Sequence, residues 1–239
     1  MRAQTNMELT DLATLIKGRR SIRKWQDKDV SEELLLQAIE LATWAPSGGN
    51  QQNWRFYIIK NKSTLKAIGD AVQASSDLIN SWPEANRSAT PAPGGSQPST
   101  AQPGIPPPGA APRGAGFFQN APAAIAVAAS QYRSGVDIIL EKRASVDPQA
   151  DEMRKWRNIA DSRIQNIASA IAHLLLILHQ MGIGTLWMTG PMQAKKEIET
   201  LLRVPPDMDI IAFIPVGYPA ESPASRGRKP VKEVCEIIR

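Results

Sequence analysis

KWRNIADSRIQNIASAIAHLLLILHQM, residues 155–181, is the longest helical pattern in the chain and the stretch on which the fold turns. Ile159, Ile164, Ile167, Ala168, Ile171, Leu174, Leu175 and Leu178 recur at helical spacing, yet they cover far more than one stripe. A helix that is apolar nearly all round has to be covered on nearly all sides. The pattern therefore predicts a central helix, shared with a second subunit. Gln165, Asn166 and His173 interrupt its greasiest part, residues 164–178, which falls short of the roughly 20 apolar residues a membrane span requires. It reads as a buried helix.

Working outward, residues 183–188 and 209–217 read as strands, and so do 54–60 and 122–130, the last with Ile125 and Val127 among alanines. Leu9, Leu12, Leu15 and Ile16 predict a helix over 9–17 that Gly18 can stop. Ser31 is a candidate N-cap, with Glu32 and Glu33 in the first turn of a helix reaching about Thr43. A weaker helical pattern covers 63–80. Residues 88–113 hold eight of the 19 prolines, with Ile105 as their one large apolar side chain. Such a stretch has too little to bury to offset the entropy of ordering it. It is expected to be a flexible, proline-rich insertion within a single domain spanning 1–239. A lid beside a site is the sharper reading, since long loops are often functional. Phe117 and Phe118, just after it, either pack as core or reach over a ligand.

The 239 residues suffice for one sizeable core, and 42% apolar with 21% charged residues is ordinary for a globular chain. The net charge of +5 is concentrated near residues 19–23 and 226–229, with no aromatic interleaving of the kind nucleic-acid surfaces show. Cys235 stands alone, which excludes an internal disulfide and fits a reducing cytoplasm. The first ten residues lack the apolar run of a signal peptide. The expectation is a cytoplasmic protein with no nucleic-acid or membrane partner.

Four short segments carry chemistry. Arg19, Arg20, Ser21 and Arg23 set three guanidiniums and a hydroxyl within five residues, a composition suited to a multi-oxygen anion. Short basic clusters are also ordinary solvated surface. PSGGNQQ (46–52) is a turn by composition, with donors and acceptors on Ser47, Asn50 and Gln52. GIGTLWMTG (182–190) lacks the full glycine pattern of a dinucleotide fold. RGRKP (226–230) is a second candidate phosphate grip, or a basic tail. His173 and His179, six apart, have no metal-binding spacing, and there is neither a serine elbow nor a carboxylate pair, so no metal site is expected. A chain without such a set needs a cofactor for difficult chemistry.

The order of these segments, a basic Arg/Ser run, a Pro-Ser-Gly-Gly-Asn loop, a glycine strand after a long helix and a late Arg-x-Arg-Lys-Pro, resembles the nitroreductase family over about 85% of the chain. The resemblance implies an α+β fold, a mixed sheet flanked by helices, in an intertwined homodimer with FMN at the interface. It implies that Arg19, Arg20, Ser21 and Arg23 hold the FMN phosphate, ribityl chain and pyrimidine edge, with Arg23 facing N1 and O2. Pro46, Ser47, Gly48 and Asn50 would come from the partner subunit, and Gln52 would also bind the cofactor. Thr189 and Gly190 would reach the flavin near N5, and Arg226 and Arg228 the phosphate. No protein side chain would be catalytic in its own right. Arg23 and Thr189 would act as electrostatic tuners.

The activity implied is hydride transfer from NAD(P)H through flavin N5 to an electron-poor acceptor, a nitroaromatic, quinone or enone, with ping-pong turnover. Specialised relatives offer reductive dehalogenation, dehydrogenation or flavin fragmentation as alternatives; a flavin-binding protein with slow turnover is another. Two departures stand out. Asn53 occupies a position where the family often has proline, and the insertion at 88–113 has no counterpart in its short members.

Overall fold

Ala123–Ser130 carries alanine at five of eight positions, and seven of its residues are buried. Side chains this small let layers approach closely from both faces, so the strand is suited to the middle of a three-layer structure. A computed structural model shows this arrangement and describes residues 9–87 and 114–239. The expected insertion at 88–113 lies outside the described residues.

In chain order the helices are α1 (Leu9–Gly18), α2 (Glu32–Ala42), α3 (Lys62–Ser81), α4 (Gly135–Arg143), α5 (Pro148–Ala160), α6 (Ser162–Gln180) and α7 (Lys195–Leu202). The strands are β1 (Trp54–Ile59), β2 (Ala123–Ser130), β3 (Gly184–Thr185) and β4 (Met208–Gly217). They lie in the order β1-β2-β4-β3, and every named pair is antiparallel. The expected mixed character is confined, among the described residues, to the parallel bridge between Ser21 and Thr185, at the sheet edge.

Period-two alternation sorts β2 between two cores. Ala123, Ile125, Val127 and Ala129 join α2 and α6, while Ala124, Ala126 and Ala128 join α3, α7 and Phe118. A register shift between Val127 and Ala128 places Ile211 between paired residues of β4. It explains why Ile210 and Phe213, three apart, both face the second core. Phe118 stacks on Phe213 with ring centroids 4.8 Å apart, so it is core, and Phe117 meets it edge-on at 6.2 Å.

The helix expected over 155–181 is two helices. Asp161 adopts a non-helical backbone and its carboxylate accepts hydrogen bonds from Arg163 N and Ile164 N, so it caps α6. A short polar acceptor at that position competes with helix continuation, which the apolar pattern on either side conceals. α6 is covered along Ile167, Ile171, Leu174 and Leu178, whereas Ile159, on α5, is 84% exposed in the single chain. Ser31 caps α2 through Leu34 N as expected, and Asn61 caps α3 through Thr64 N.

α4 and α5 were not legible as separate helices. Ser134 and Asp137 form a capping box at the start of α4, and Arg157 of α5 pairs with the same carboxylate. The hydrogen bond from Arg157 is the main reason the Asp137 carboxyl lies well below the usual carboxylate range, with Ser134 adding to it against a desolvation cost. A depressed folded-state pKa stabilises above the unfolded value near ~3.9 and loses that stabilisation as pH falls through the acid range. Asp137→Asn should therefore melt below the parent at neutral pH, with the gap narrowing as the solution is taken to about pH 2. Thermal melts at both pH values check this; a gap that ignores pH would show that the ion pair contributes nothing.

Candidate functional site

Backbone pairing explains how the N-terminal arginine run reaches its place. Ile22 N donates to Thr185 O at 2.9 Å, Gln26 N donates to Tyr218 O at 2.9 Å, and Ala220 N donates to Lys24 O at 3.0 Å. The Glu221 carboxylate accepts from Arg23 N at 2.5 Å and Lys24 N at 3.2 Å. Trp25 Nε1 donates to Gly184 O at 3.2 Å. Gly184 has to be glycine here, because a Cβ would stand 2.8 Å from the Ile22 side chain. Residues 21–26 are thus fastened to the sheet edge beside β3 and the end of β4.

A cavity of about 570 Å³ opens beside this segment. Ile16 of α1, Ala172, Leu175 and Leu176 of α6, and Trp187 supply an apolar wall, and Arg19, Ser21, Thr189 and Arg228 supply the polar one. Trp187 lies where the edge ladder thins: after Gly184–Thr185 only a long contact from Leu186 N to Pro215 O, 3.4 Å, precedes the bridge between Met188 and Phe213. This is why the strand expected over 183–188 is short. A smaller cleft of about 130 Å³ lies between Arg19, Arg20, Ser21 and Arg23 on one side and Arg226 and Arg228 on the other. The two basic clusters, some 200 residues apart in sequence, converge there.

Among the described residues no carboxylate forms an ion pair with any of these five arginines. Instead the Arg20 guanidinium donates to Lys17 O and Arg19 O, Arg23 to Ser21 O, and Arg228 to Arg226 O and Gly227 O. The Arg19 pKa is lowered by burial first, then by Arg20 and Arg228. A crowded positive cluster in which no guanidinium is paired with a carboxylate suits an anion. His179, missed in the sequence, lines a neighbouring cavity with Arg19 and Arg20, and its pKa too is lowered, by burial and then by those two arginines. Its ring also explains Gly18, where a Cβ would lie 3.1 Å from Nε2.

The loop at 46–52 lines none of the arginine-bounded cavities of its own chain. It is fastened elsewhere, to α6 and the end of β2. Gly49, Asn50 and Gln52 all have positive φ, 60°, 52° and 47°. Left-handed backbone is costly for a glutamine, and such strain persists only where surroundings impose it. Ser47 Oγ accepts from Gln52 N at 3.1 Å and Asn50 Oδ1 accepts from Gln52 Nε2 at 3.2 Å. Gly190 begins a short 3-10 segment, with open space where a Cβ would be; it does not line the cavity, whereas Thr189 does. No cluster of three or more potential metal ligands occurs among the described residues, and none of their helices is long and apolar enough to cross a membrane.

Comparison with known proteins identifies the family and the fold. Residues 16–218 match the family described as the nitroreductase family. A protein of Methanothermobacter thermautotrophicus, named provisionally as an NADH dehydrogenase/NAD(P)H nitroreductase, is 28% identical over 90% of this chain and 81% of its own length. An iodotyrosine deiodinase of Thermotoga neapolitana is 23% identical over 87% of this chain and 88% of its own. A BluB-like flavoprotein of Clostridium difficile superposes with a TM-score of 0.74 at 26% identity, covering 95% of this chain and 99% of that one. The match runs through the fastened arginine segment, both cores and the whole sheet, and the chain belongs to the nitroreductase family of oxidoreductases.

Proposed function

We propose that the chain is an FMN-dependent oxidoreductase that passes reducing equivalents from NAD(P)H to an electron-poor acceptor such as a nitroaromatic, quinone or enone, and that it works as a homodimer. The observation carrying this is the set of uncompensated arginines at the polar side of a cavity whose other wall is apolar. FMN joins a phosphate to a flat aromatic ring, and the residues present fit both ends. When bound, FMN supplies a two-electron carrier that a nicotinamide can reduce and an acceptor can reoxidise.

The chain's own contribution is binding and electrostatics. Arg19, Arg20, Arg226 and Arg228 would hold the phosphate, each charge-assisted contact worth about 1.5–3 kcal/mol. Ser21 lines both the cleft and the wide cavity and would meet the ribityl chain. Ile16, Leu175, Leu176 and Trp187 would exclude water from the ring, which strengthens every charge interaction there. Thr189 offers its hydroxyl and amide at the cavity wall. Arg23 serves the N1/O2 edge only if its guanidinium swings from the Ser21 carbonyl into the wide cavity. Pro46, Ser47, Gly48, Asn50 and Gln52 would act on the partner's flavin, consistent with their distance from the cavities of their own chain.

Exposed apolar side chains support the dimer. Trp156 is 57% exposed, Ile159 84%, Ile237 73% and Ile238 83%. Apolar surface of this kind is normally covered by an interface. Light scattering should give about twice 26.1 kDa at micromolar concentration. A flavin-loaded monomer would overturn the placement of residues 46–52. The deiodinase-like relative favours reductive dehalogenation as a second reading. Steady-state oxidation of NADH and of NADPH, with menadione, a nitroaromatic or 3-iodo-L-tyrosine as acceptor, separates the two. Bound FMN with no turnover would reduce the chain to a flavin-binding protein, and a purified protein unable to bind FMN would end both readings.

Arg19→Ala and Arg228→Ala should each raise the FMN dissociation constant about ten-fold or more. Each should leave the melting temperature of the flavin-free protein unchanged or higher, because a like-charge contact is removed. Unchanged FMN affinity in both variants would take these residues out of the site.

A further inference from the structure

Asn53 and Asn166 are 7% and 5% exposed, and with Thr185 they are the only buried polar side chains among the described residues. Asparagine is a poor residue for a helix interior and costly to bury without partners. Here each is satisfied by the other. Asn166 Nδ2 donates to Asn53 Oδ1 at 2.9 Å, and Asn53 Nδ2 donates to Ser130 O at 3.2 Å. Asn166 Oδ1 accepts from Gly48 N at 2.9 Å. The main chain of Asn53 closes the circuit, its carbonyl accepting from Ser130 N at 2.9 Å. The relay therefore ties the end of β2, the first turns of α6 and the strained 46–52 loop to one another.

Two consequences follow. The Gly48 amide is already committed to Asn166, so it is not a donor to a ligand. The residues carrying positive φ, Gly49, Asn50 and Gln52, lie immediately after the pinned peptide, so the pin sets where the strained part of the loop begins. Asn166 also shares α6 with Ala172, Leu175 and Leu176 of the cavity wall, the nearest six residues on and so about 9 Å along the axis. One rigid helix carries both the cavity wall of its own chain and the anchor of the loop.

We propose that Asn166, acting through its hydrogen bonds to Gly48 and Asn53, is a positioning residue that holds the 46–52 loop in its flavin-competent shape. The proposal rests on the FMN reading above. It gives a role to Asn53, the departure from the proline often found at that position: proline has neither the amide that reaches Ser130 nor the carbonyl that accepts from Asn166. Loosening the pin lowers the fraction of loops in the competent shape, and apparent affinity falls by that fraction. A loop competent about one tenth of the time binds about ten-fold more weakly.

The test compares Asn166→Asp, which keeps an acceptor for Gly48 but loses the donor to Asn53 Oδ1, with Asn166→Ser, whose hydroxyl is too short to reach Gly48. A third variant, Asn53→Leu/Asn166→Leu, removes both side chains of the pair at once and leaves Gly48 N and Ser130 O without their side-chain partners. Three quantities are read: FMN dissociation constant, melting temperature of the flavin-free protein, and hydrogen exchange of the Gly48 amide in the flavin-free protein. Asn166→Ser and the double variant should lose Gly48 protection and bind FMN about ten-fold more weakly. Asn166→Asp should keep Gly48 protection and lose less FMN affinity than Asn166→Ser. Serine and aspartate variants that bind FMN as the parent does, while Gly48 exchanges faster in the serine variant, would overturn the proposal. So would affinity that falls only in step with the melting temperature across all variants. If the double variant fails to fold, the serine–aspartate comparison decides alone. Failure of the FMN reading is distinguishable, because the parent itself would then bind no FMN.

Discussion

Burial of β2 on both faces is the constraint from which the rest of the structure follows. A strand with no solvent face can be covered only by layers on each side, and its alanines set how near those layers come. α2 and α6 cover one face, α3, α7 and Phe118 the other. Deep burial of a core side chain is worth about 1.5–3 kcal/mol, so Ile167, Ile171, Leu174 and Leu178 fix the rotation of α6 strongly. Once that rotation is fixed, the positions of Asn166, Ala172 and Leu176 are no longer free. The functional surfaces are what remains of a helix after the core has taken its share.

The charge distribution obeys a similar division. Aspartates elsewhere are spent on nearby cations: Asp137 on Arg157, Asp151 on Arg154 and Lys155, and Asp209 on Arg163 and Lys195. Such pairs, mostly a quarter to two-fifths exposed, are individually worth modest amounts. Their effect is to leave the chain's excess positive charge concentrated where no carboxylate pairs with it, around Arg19, Arg20 and Arg228. Glu221 is close in space but is used on the main-chain amides of Arg23 and Lys24. It fixes the segment without forming an ion pair with the arginine cluster. Repulsion within that cluster is a standing cost in the ligand-free chain, and an anion bound there relieves it.

The elements were largely legible in the sequence because their signals are local. Helical spacing, the cap at Ser31, and short β-rich runs for β1, β2 and β4 depend on residues within a few positions of one another. Where legibility failed, a local signal was ambiguous. Asp161 sits between two apolar stretches, and only its capping bonds reveal a break. Asn166 was visible as an interruption of an apolar run, but its partners Asn53 and Gly48 are more than 110 residues away.

The sequence by itself determined which residue types exist to hold an anion, where most of the helices and strands lie, and, through the order of four short motifs, the family. Only the tertiary structure decided which of those residues meet. Arg228 reaches Arg19 because residues 21–26 pair with β3 and with residues 218–220, a contact spanning nearly the whole chain. It also decided which polar groups are already committed: Gly48 N to Asn166, Ser47 Oγ to Gln52, Arg23 to Ser21 O. Periodicity reports the face a residue presents, whereas convergence and hydrogen-bond satisfaction depend on long-range packing, which no local window contains.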